Sequence, residues 1–243
     1  MARIDEFVGQ ALRNIGPKPP DSAKRAAKKR FSEKLSQALA EAFAAELRER
    51  GLDTARPAPP GVLDQSGAER RMSGGIGAKK VDVTWATEES GLLFAISIKT
   101  INFRDRRSGN FQKNLTNRRG DMLFEAVTLH RRFPYGVLAG FFILDSEAAS
   151  DDTDRRNSTF LNAHQRFRLF TGRSDPAGRD EQYERLFIVL LDANRFDPTF
   201  DAYTVGVTDK PVPLETVFDE LVELVAERDP DFYEAEDGRL KKV

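Results

Sequence analysis

Two apolar runs in the second half of the chain constrain the fold more than any other feature. They span residues 137–144 and 185–192, where apolar side chains follow one another almost without interruption. Such runs are typical of strands buried on both faces of a sheet. The predicted order of elements is helix, hairpin, helix, strand, helix, strand. We therefore predict an α/β fold with a mixed central β-sheet flanked by helices.

The rest of the sequence predicts one domain with a polar segment at each end. A chain of 243 residues is long enough for a single core. Residues 1–30 are predicted as a basic N-terminal arm or a short helix, 31–228 as the domain, and 229–243 as a solvated C-terminal tail. Residues 52–76 are rich in proline and glycine and predict a long loop. Helices are predicted near 31–50, 110–132, 158–170 and 214–228.

Composition excludes several kinds of site. The chain has no cysteine and only two histidines, His130 and His164, which excludes cysteine nucleophiles, disulfides and multi-histidine metal sites. A bound metal would be held by carboxylate and carbonyl oxygens, which favours Mg²⁺ (or Mn²⁺). No segment resembles a membrane span or a signal peptide, so we expect a soluble, cytoplasmic protein without a membrane partner.

Charge is distributed unevenly along the chain. Residues 1–132 carry a net charge of +9 and residues 133–243 a net charge of −10, although the whole chain carries −1. This asymmetry predicts one surface that faces a polyanion. The alternative is that the two sets of charges mix in three dimensions.

The chemistry is predicted in a hairpin whose strands span 79–85 and 92–100. Because side chains alternate along a strand, Ser97 and Lys99 share one face. If the turn is centred on residues 89–90, Asp82 lies opposite Ser97 on that same face. A lysine within such an apolar run is costly unless it is paired or used. The alternative is that Asp82 and Lys99 form an ordinary cross-strand ion pair.

These residues resemble the motif of the PD-(D/E)xK, or restriction-endonuclease-like, nuclease superfamily. The matching segments are Lys80-Val81-Asp82-Val83 and Ile96-Ser97-Ile98-Lys99-Thr100. The resemblance implies a restriction-endonuclease-like core. It also implies that Asp82 and the carbonyl of Ile98 hold Mg²⁺ (or Mn²⁺), while Lys99 orients or deprotonates the attacking water.

The sequence departs from this motif at Ser97, where the superfamily usually has an acid. Some members of the superfamily supply that acid from the following helix. Here Asn114, Asn117, Asp121, Glu125 and Thr128 form one helical stripe, so Asp121 or Glu125 is predicted to complete the metal site. The alternative is that the stripe is simply solvated.

The superfamily often has a further acid on the helix before the hairpin. Glu46 falls within the apolar stripe formed by Phe31, Leu35, Leu39, Ala42 and Phe43. A glutamate on a core-facing stripe needs a partner or a metal, so Glu46 is predicted as a metal ligand. The alternative is a half-exposed Glu46 beside Arg50 at the helix end.

Basic and amide side chains follow the hairpin and are candidates for contact with nucleic acid. Phosphate contacts by Lys and Arg supply the salt-dependent part of such binding. The candidates are Arg104, Arg106, Arg107, Lys113, Asn114, Asn117 and Arg118, with Arg70, Arg71, Lys79, Lys80 and Arg119 nearby. The alternative for any one of them is ordinary surface charge.

The resemblance therefore implies a metal-dependent endonuclease that hydrolyses DNA phosphodiester bonds. It would act in type II restriction or phage defence on double-stranded DNA, as a homodimer, with a possible cognate methyltransferase. The alternative is a catalytically inactive, nuclease-like DNA-binding subunit, which Ser97 favours. A third interpretation is an unrelated α/β protein with an accidental ion pair.

Overall fold

The periodic segments of the sequence form helices and strands close to their predicted positions. The computed structural model describes residues 2–59, 61–62, 70–73, 76–193 and 198–243. The helices are α1 (Arg3–Ile15), α2 (Arg25–Glu49), α3 (Leu115–His130), α4 (Thr159–Phe167) and α5 (Leu214–Arg228). The strands are β1 (Arg70–Ser73), β2 (Ala78–Val81), β3 (Val83–Thr87), β4 (Gly91–Ile101), β5 (Val137–Asp145), β6 (Arg185–Asp192), β7 (Thr199–Thr204), β8 (Tyr233–Glu236) and β9 (Arg239–Lys242).

The predicted mixed sheet is present and has five strands in the order β3-β4-β5-β6-β7. The three central strands run parallel, and β3 and β7 are antiparallel to their neighbours. Every residue of β5 is buried, as a central strand covered on both faces requires. The two apolar runs of the sequence are thus adjacent strands at the centre of the sheet.

Helices cover both faces of this sheet, so the fold is mixed α/β. Helices α1, α2 and α5 bury one face, and α3 and α4 bury the other. The side chains of β4 alternate between the layers: Ile96 and Ile98 face α2, whereas Ala95 faces α3. Val81 and Val83 were predicted on one face but lie in different layers, because the chain bends between them.

The N-terminal residues were predicted as a basic arm or a short helix, and the structure has the helix, packed into the core. Residues 3–15 form α1, whose Ile4, Val8 and Leu12 are buried in the core with α2 and α5. Helix α2 begins at Arg25, six residues before the predicted start at Phe31. The apolar residues of α1 have the spacing of an amphipathic helix. The charged residues between them make this spacing hard to recognise in the sequence.

The C-terminal residues also differ from the predicted solvated tail. Strands β8 and β9 form a hairpin, and Tyr233 and Leu240 are buried in the core beside α5. Arg50 fixes this hairpin: its carbonyl accepts the Leu240 amide at 2.7 Å, and its guanidinium donates to the Gly238 carbonyl at 2.8 Å. Both ends of the chain are therefore part of the single core.

The segment between α1 and α2 crosses the carboxyl ends of the parallel strands. The Lys18 amide donates to the carbonyl of Ala193, just after β6, at 3.2 Å. The Lys18 ammonium forms a buried ion pair of 2.7 Å with Asp145, the last residue of β5. Burial raises the pKa of the Asp145 carboxyl, and Lys18 opposes that effect. This pair fixes where α2 starts relative to the sheet.

Within the described residues, the helices are too short or too polar to cross a lipid bilayer.

His164 on α4 gives the fold a testable dependence on pH. Its Nδ1 accepts the Gly206 amide at 3.0 Å, and burial lowers the pKa of its imidazole to about 4. An unfolded histidine has a pKa of about 6.5, so the stabilisation by the neutral ring is complete above that pH and is lost as the pH falls towards 4. We expect protonation of His164 to lower the free energy of unfolding by about 2 kcal/mol as the pH falls from about 7.5 to about 4.5.

The measurement is urea denaturation of the wild type and of His164→Gln, which keeps an acceptor for the Gly206 amide. The variant should lose less unfolding free energy than the wild type across this pH range. An identical loss in both proteins would show that His164 does not cause the dependence.

Candidate functional site

Asp82 lies at the bend through which the chain passes from a two-stranded sheet into the central sheet. Before it β2 pairs with β1, and after it β3 pairs with β4. The predicted register holds here, because Val83 pairs with Ile96 and so brings Asp82 level with Ser97. Because of the bend, the buried amide of Ile98 has no main-chain acceptor on the neighbouring strand. It donates instead to Asp82 Oδ2 at 2.6 Å. The Asp82 carboxylate is thus fixed against β4.

Lys99 lies in the middle of a small group of oxygens. Its Nζ is 3.4 Å from Asp82 Oδ2, 3.4 Å from the Ile98 carbonyl and 3.4 Å from Glu125 Oε2. Burial lowers the pKa of Lys99, but Glu125 and Asp82 together outweigh it, so the pKa is raised. Lys99 is therefore a cation in this arrangement, with both carboxylates as its counter-ions.

The two acids proposed for α3 have different surroundings. Glu125 is 1% exposed and faces Lys99 across the α3 side of the sheet. The Asp121 side chain is 49% exposed and pairs with Arg118 at 3.4 Å on the same helix. Four residues advance a helix by slightly more than one turn, and that small rotation separates a buried position from an exposed one. The structure brings Glu125 to Asp82 and leaves Asp121 at the surface.

Tyr183 is a neighbour of this group that the sequence did not indicate. It is buried just before β6, and its hydroxyl donates to the Met122 carbonyl of α3 at 3.0 Å. Burial raises the pKa of the phenol, Glu125 and Asp82 raise it further, and the adjacent Ser97 opposes them. Tyr183 therefore stays a neutral donor to α3 beside Ser97. Sequence pattern gives no signal for it, because the contact depends on how β6 lies beside α3.

Glu46 is buried, as predicted, but its partners are arginines. It is 1% exposed, and its carboxylate accepts Arg3 at 2.9 Å through two nitrogens and Arg50 at 2.6 Å. Arg50 also pairs with Asp219 of α5. Glu46 lies six residues beyond Ala40, the last α2 residue that lines the cleft described below; that is about 9 Å along the helix axis. The structure does not bring Glu46 to Asp82, and ion pairing accounts for its burial.

An open cleft of about 1480 Å³ exposes the group around Lys99. Asp82, Ile98, Lys99 and Thr100 contribute to its lining from the hairpin. One wall is the first half of α2, and the other is the segment from residue 103 to the start of α3. Ten Lys or Arg side chains and three carboxylates line the cleft, which gives it a strong positive charge in a chain whose net charge is −1. All of the lining residues belong to the basic first half of the chain, although Arg104 pairs with Glu147 of the acidic half at 3.4 Å.

The second wall is organised by its own hydrogen bonds. Asp105 accepts the amides of Arg107 and Ser108, each at 3.1 Å, and pairs with Lys113. Lys113 and these amides lower the pKa of Asp105 to about 2. Arg106 donates to the Ser22 carbonyl at 2.8 Å, which ties this wall to the segment before α2. The wall is therefore a structured turn that holds its basic residues in place.

Five of the seven residues predicted to contact nucleic acid line the cleft. They are Arg104, Arg106, Lys113, Asn114 and Arg118. Arg107 and Asn117 are exposed and are not among the lining residues. The side chains of Arg70, Arg71 and Lys79 lie outside the described part of the chain.

The first wall adds four basic residues that the sequence prediction had placed in the arm. They are Lys24, Arg25, Lys28 and Lys29. Their spacing at the start of α2 places them near Ser32 and Ser36 on one helix face. This polar stripe could have indicated the basic wall from the sequence. It was missed because the helix was predicted to start at Phe31.

The oxygens around Lys99 fit a hard divalent cation. Two carboxylates and one main-chain carbonyl converge on a single positive charge, and Mg²⁺ is usually bound by one or two carboxylates together with water and substrate phosphate. In the described part of the chain, no group of three or more acidic, histidine or cysteine side chains could hold a metal ion. The oxygens that face this position are those of Asp82, Glu125 and the Ile98 carbonyl.

Comparisons of the chain with protein-family models, with curated proteins and with solved structures found no match. Any proposal about function therefore rests on the residues and their geometry.

The arginine partners of Glu46 lead to a prediction. Glu46→Gln should lower the free energy of unfolding by about 3 kcal/mol, because it leaves Arg50 and Arg3 without the buried carboxylate that they share. Glu49→Gln is a matched control, since Glu49 is exposed at the same helix end, and it should change stability by less than about 0.5 kcal/mol. Denaturant titration measures both values. Mn²⁺ binding that disappears in a folded Glu46→Gln variant would contradict this placement of Glu46.

Proposed function

We propose that this protein is a divalent-metal-dependent endonuclease that hydrolyses phosphodiester bonds of DNA, with a restriction-endonuclease-like core. One observation carries the proposal: two buried carboxylates and a carbonyl converge on Lys99, and Lys99, Asp82 and Ile98 line a cleft that has ten basic side chains in its walls, with Glu125 buried behind them. Such a cleft suits a polyanionic backbone. The oxygen cluster suits the hard cation on which phosphodiester hydrolysis often depends.

The hairpin motif and the following helix support the assignment to the PD-(D/E)xK superfamily. Asp82 directly precedes β3, and Lys99 lies on the adjacent strand β4 within 3.4 Å of it, which matches the hairpin arrangement of the motif. Glu125 comes from the helix after the hairpin and lies beside Lys99, so it takes the role of the acid that Ser97 does not provide. Under this proposal Asp82, Glu125 and the Ile98 carbonyl hold Mg²⁺ (or Mn²⁺).

The bound metal would polarise the scissile phosphate and lower the pKa of a water. The protein residues position the substrate and balance its charge. Lys99 reaches the cleft from between the carboxylates and directs positive charge towards a phosphate there. The α2 wall and the Arg104–Arg118 wall hold the backbone on either side.

Cutting both strands of a duplex requires two active sites, so we propose that the protein acts as a homodimer on double-stranded DNA in the cytoplasm. Restriction or phage defence is the role that the superfamily resemblance favours. In a restriction system a cognate methyltransferase would protect the host DNA.

A second candidate function is binding of nucleic acid without cleavage. Ser97 favours it, because serine brings no charge where the superfamily usually has an acid. The ion pairs of Lys99 with both carboxylates also favour it, because they satisfy the acids without a metal.

A plasmid cleavage assay with matched variants on α3 tests the first proposal. Glu125→Gln should reduce Mg²⁺-dependent cleavage by about 100-fold or more, because it removes a charged metal ligand. Asp121→Asn, about one helical turn before Glu125, is the control, and its cleavage rate should stay within about twofold of the wild-type rate. Retained DNA binding with no cleavage in Mg²⁺ or Mn²⁺ would instead support the second candidate.

The α2 wall predicts a particular dependence of binding on salt. In the Glu125→Gln background, Lys24→Ala with Arg25→Ala should reduce the slope of log affinity against log salt by about 2, because each lost phosphate contact reduces it by about 0.9. Lys34→Ala is the control, since Lys34 is exposed on α2 but does not line the cleft. Fluorescence anisotropy of a labelled DNA duplex measures the slopes. Equal slopes in all three proteins would show that this wall does not contact phosphates.

A further inference from the structure

The ammonium of Lys99 lies at the position that the proposed metal ion would take. Its Nζ is 3.4 Å from each of Asp82 Oδ2, Glu125 Oε2 and the Ile98 carbonyl. These are the same three oxygens that the proposed function assigns to the metal. Both carboxylates are held in place, Asp82 by the Ile98 amide and Glu125 by its burial on α3. The cluster therefore has one cation position, and a side chain of the protein occupies it.

We propose that Lys99 is an internal cation that competes with the divalent metal for these oxygens, and that a substrate phosphate relieves the competition. This inference rests on the proposed function. An ammonium and a divalent ion repel each other strongly at such short distance. Lysine has a flexible four-carbon stem, and Lys99 lines the cleft. A phosphate in the cleft gives its ammonium a new counter-ion, so the two carboxylates become available to the metal.

The competition couples metal binding to substrate binding. If DNA raises the affinity for metal by some factor, metal must raise the affinity for DNA by the same factor. A phosphate oxygen can also complete the coordination of Mg²⁺, which commonly pairs one or two carboxylates with substrate phosphate. The site would therefore bind metal weakly alone and more tightly once the backbone lies in the cleft.

Substitution of Lys99 tests the competition through metal affinity. Electron paramagnetic resonance of unbound Mn²⁺ gives the affinity of the wild type and of Lys99→Met, which has an apolar side chain of similar length. Without DNA, Lys99→Met should bind Mn²⁺ about tenfold more tightly or better, because the competing charge is gone. The double variant Asp82→Asn with Lys99→Met should lose that gain.

A short DNA duplex extends the same measurement. It should tighten Mn²⁺ binding to the wild type by about tenfold and to Lys99→Met far less, since that variant has no ammonium to displace. Lys99→Met that binds Mn²⁺ no more tightly than the wild type would overturn the inference and leave the proposed function standing. Absence of Mn²⁺ binding to every variant at millimolar concentration would overturn the proposed function itself.

A measurement on the wild type avoids any variant that fails to fold. Acetylation of lysines by an N-hydroxysuccinimide ester, followed by mass spectrometry, reports how available each amine is. Mg²⁺ should speed the acetylation of Lys99, because displacement removes its two counter-ions. Lys34 should be unaffected, since it is exposed and distant in sequence from the hairpin. An unchanged rate at Lys99 under saturating Mg²⁺ would contradict displacement.

Discussion

The ion cluster of Lys99 with Asp82 and Glu125 is the constraint on which the arrangement of the site depends. Three charged groups lie on a sheet face that is otherwise apolar, and each is tolerated there because the others are present. Asp82 can reach Lys99 because the chain bends out of the sheet, and Glu125 can reach it because α3 covers that face. Buried ion pairs contribute little net stability compared with apolar packing. The opening of this cluster into the cleft distinguishes it from the ion pairs of Glu46.

The two ends of α2 carry two ion networks with different consequences. At its end, Glu46 and Arg50 join α1, α5 and the C-terminal hairpin through contacts that only hold the fold together. At its start, basic side chains face an open cleft and form a wall for a polyanion. The buried pair of Lys18 with Asp145 fixes that start against the sheet. The structural network thus holds in place the helix that presents the basic wall.

Much of the fold followed from local pattern. The bounds of β6 and α5 agree with the sequence prediction, because apolar runs and helical periodicity are properties of short segments. The register that brings Asp82 level with Ser97 also agrees with the prediction, but the turn is centred on Glu89, and a β-bulge between Trp85 and Ala86 supplies the one-residue offset. The chain ends did not follow, because α1 and the β8–β9 hairpin are stabilised by packing against distant residues rather than by their own composition.

Local sequence pattern was enough to predict the central mixed sheet, the hairpin with Asp82 and Lys99, and the concentration of basic residues in the first half of the chain. Which acid meets Lys99 depends on how the helices pack against the hairpin. Glu46, Asp121 and Glu125 are all carboxylates, and each lies on a stripe of one helix face that the sequence indicates. Their ion-pair partners differ because those partners come from whatever residues lie nearby in space. Glu46 pairs with arginines, Asp121 pairs with an exposed arginine, and Glu125 pairs with the hairpin lysine. The spacing of residues along one helix holds no information about the side chains that face it from other elements.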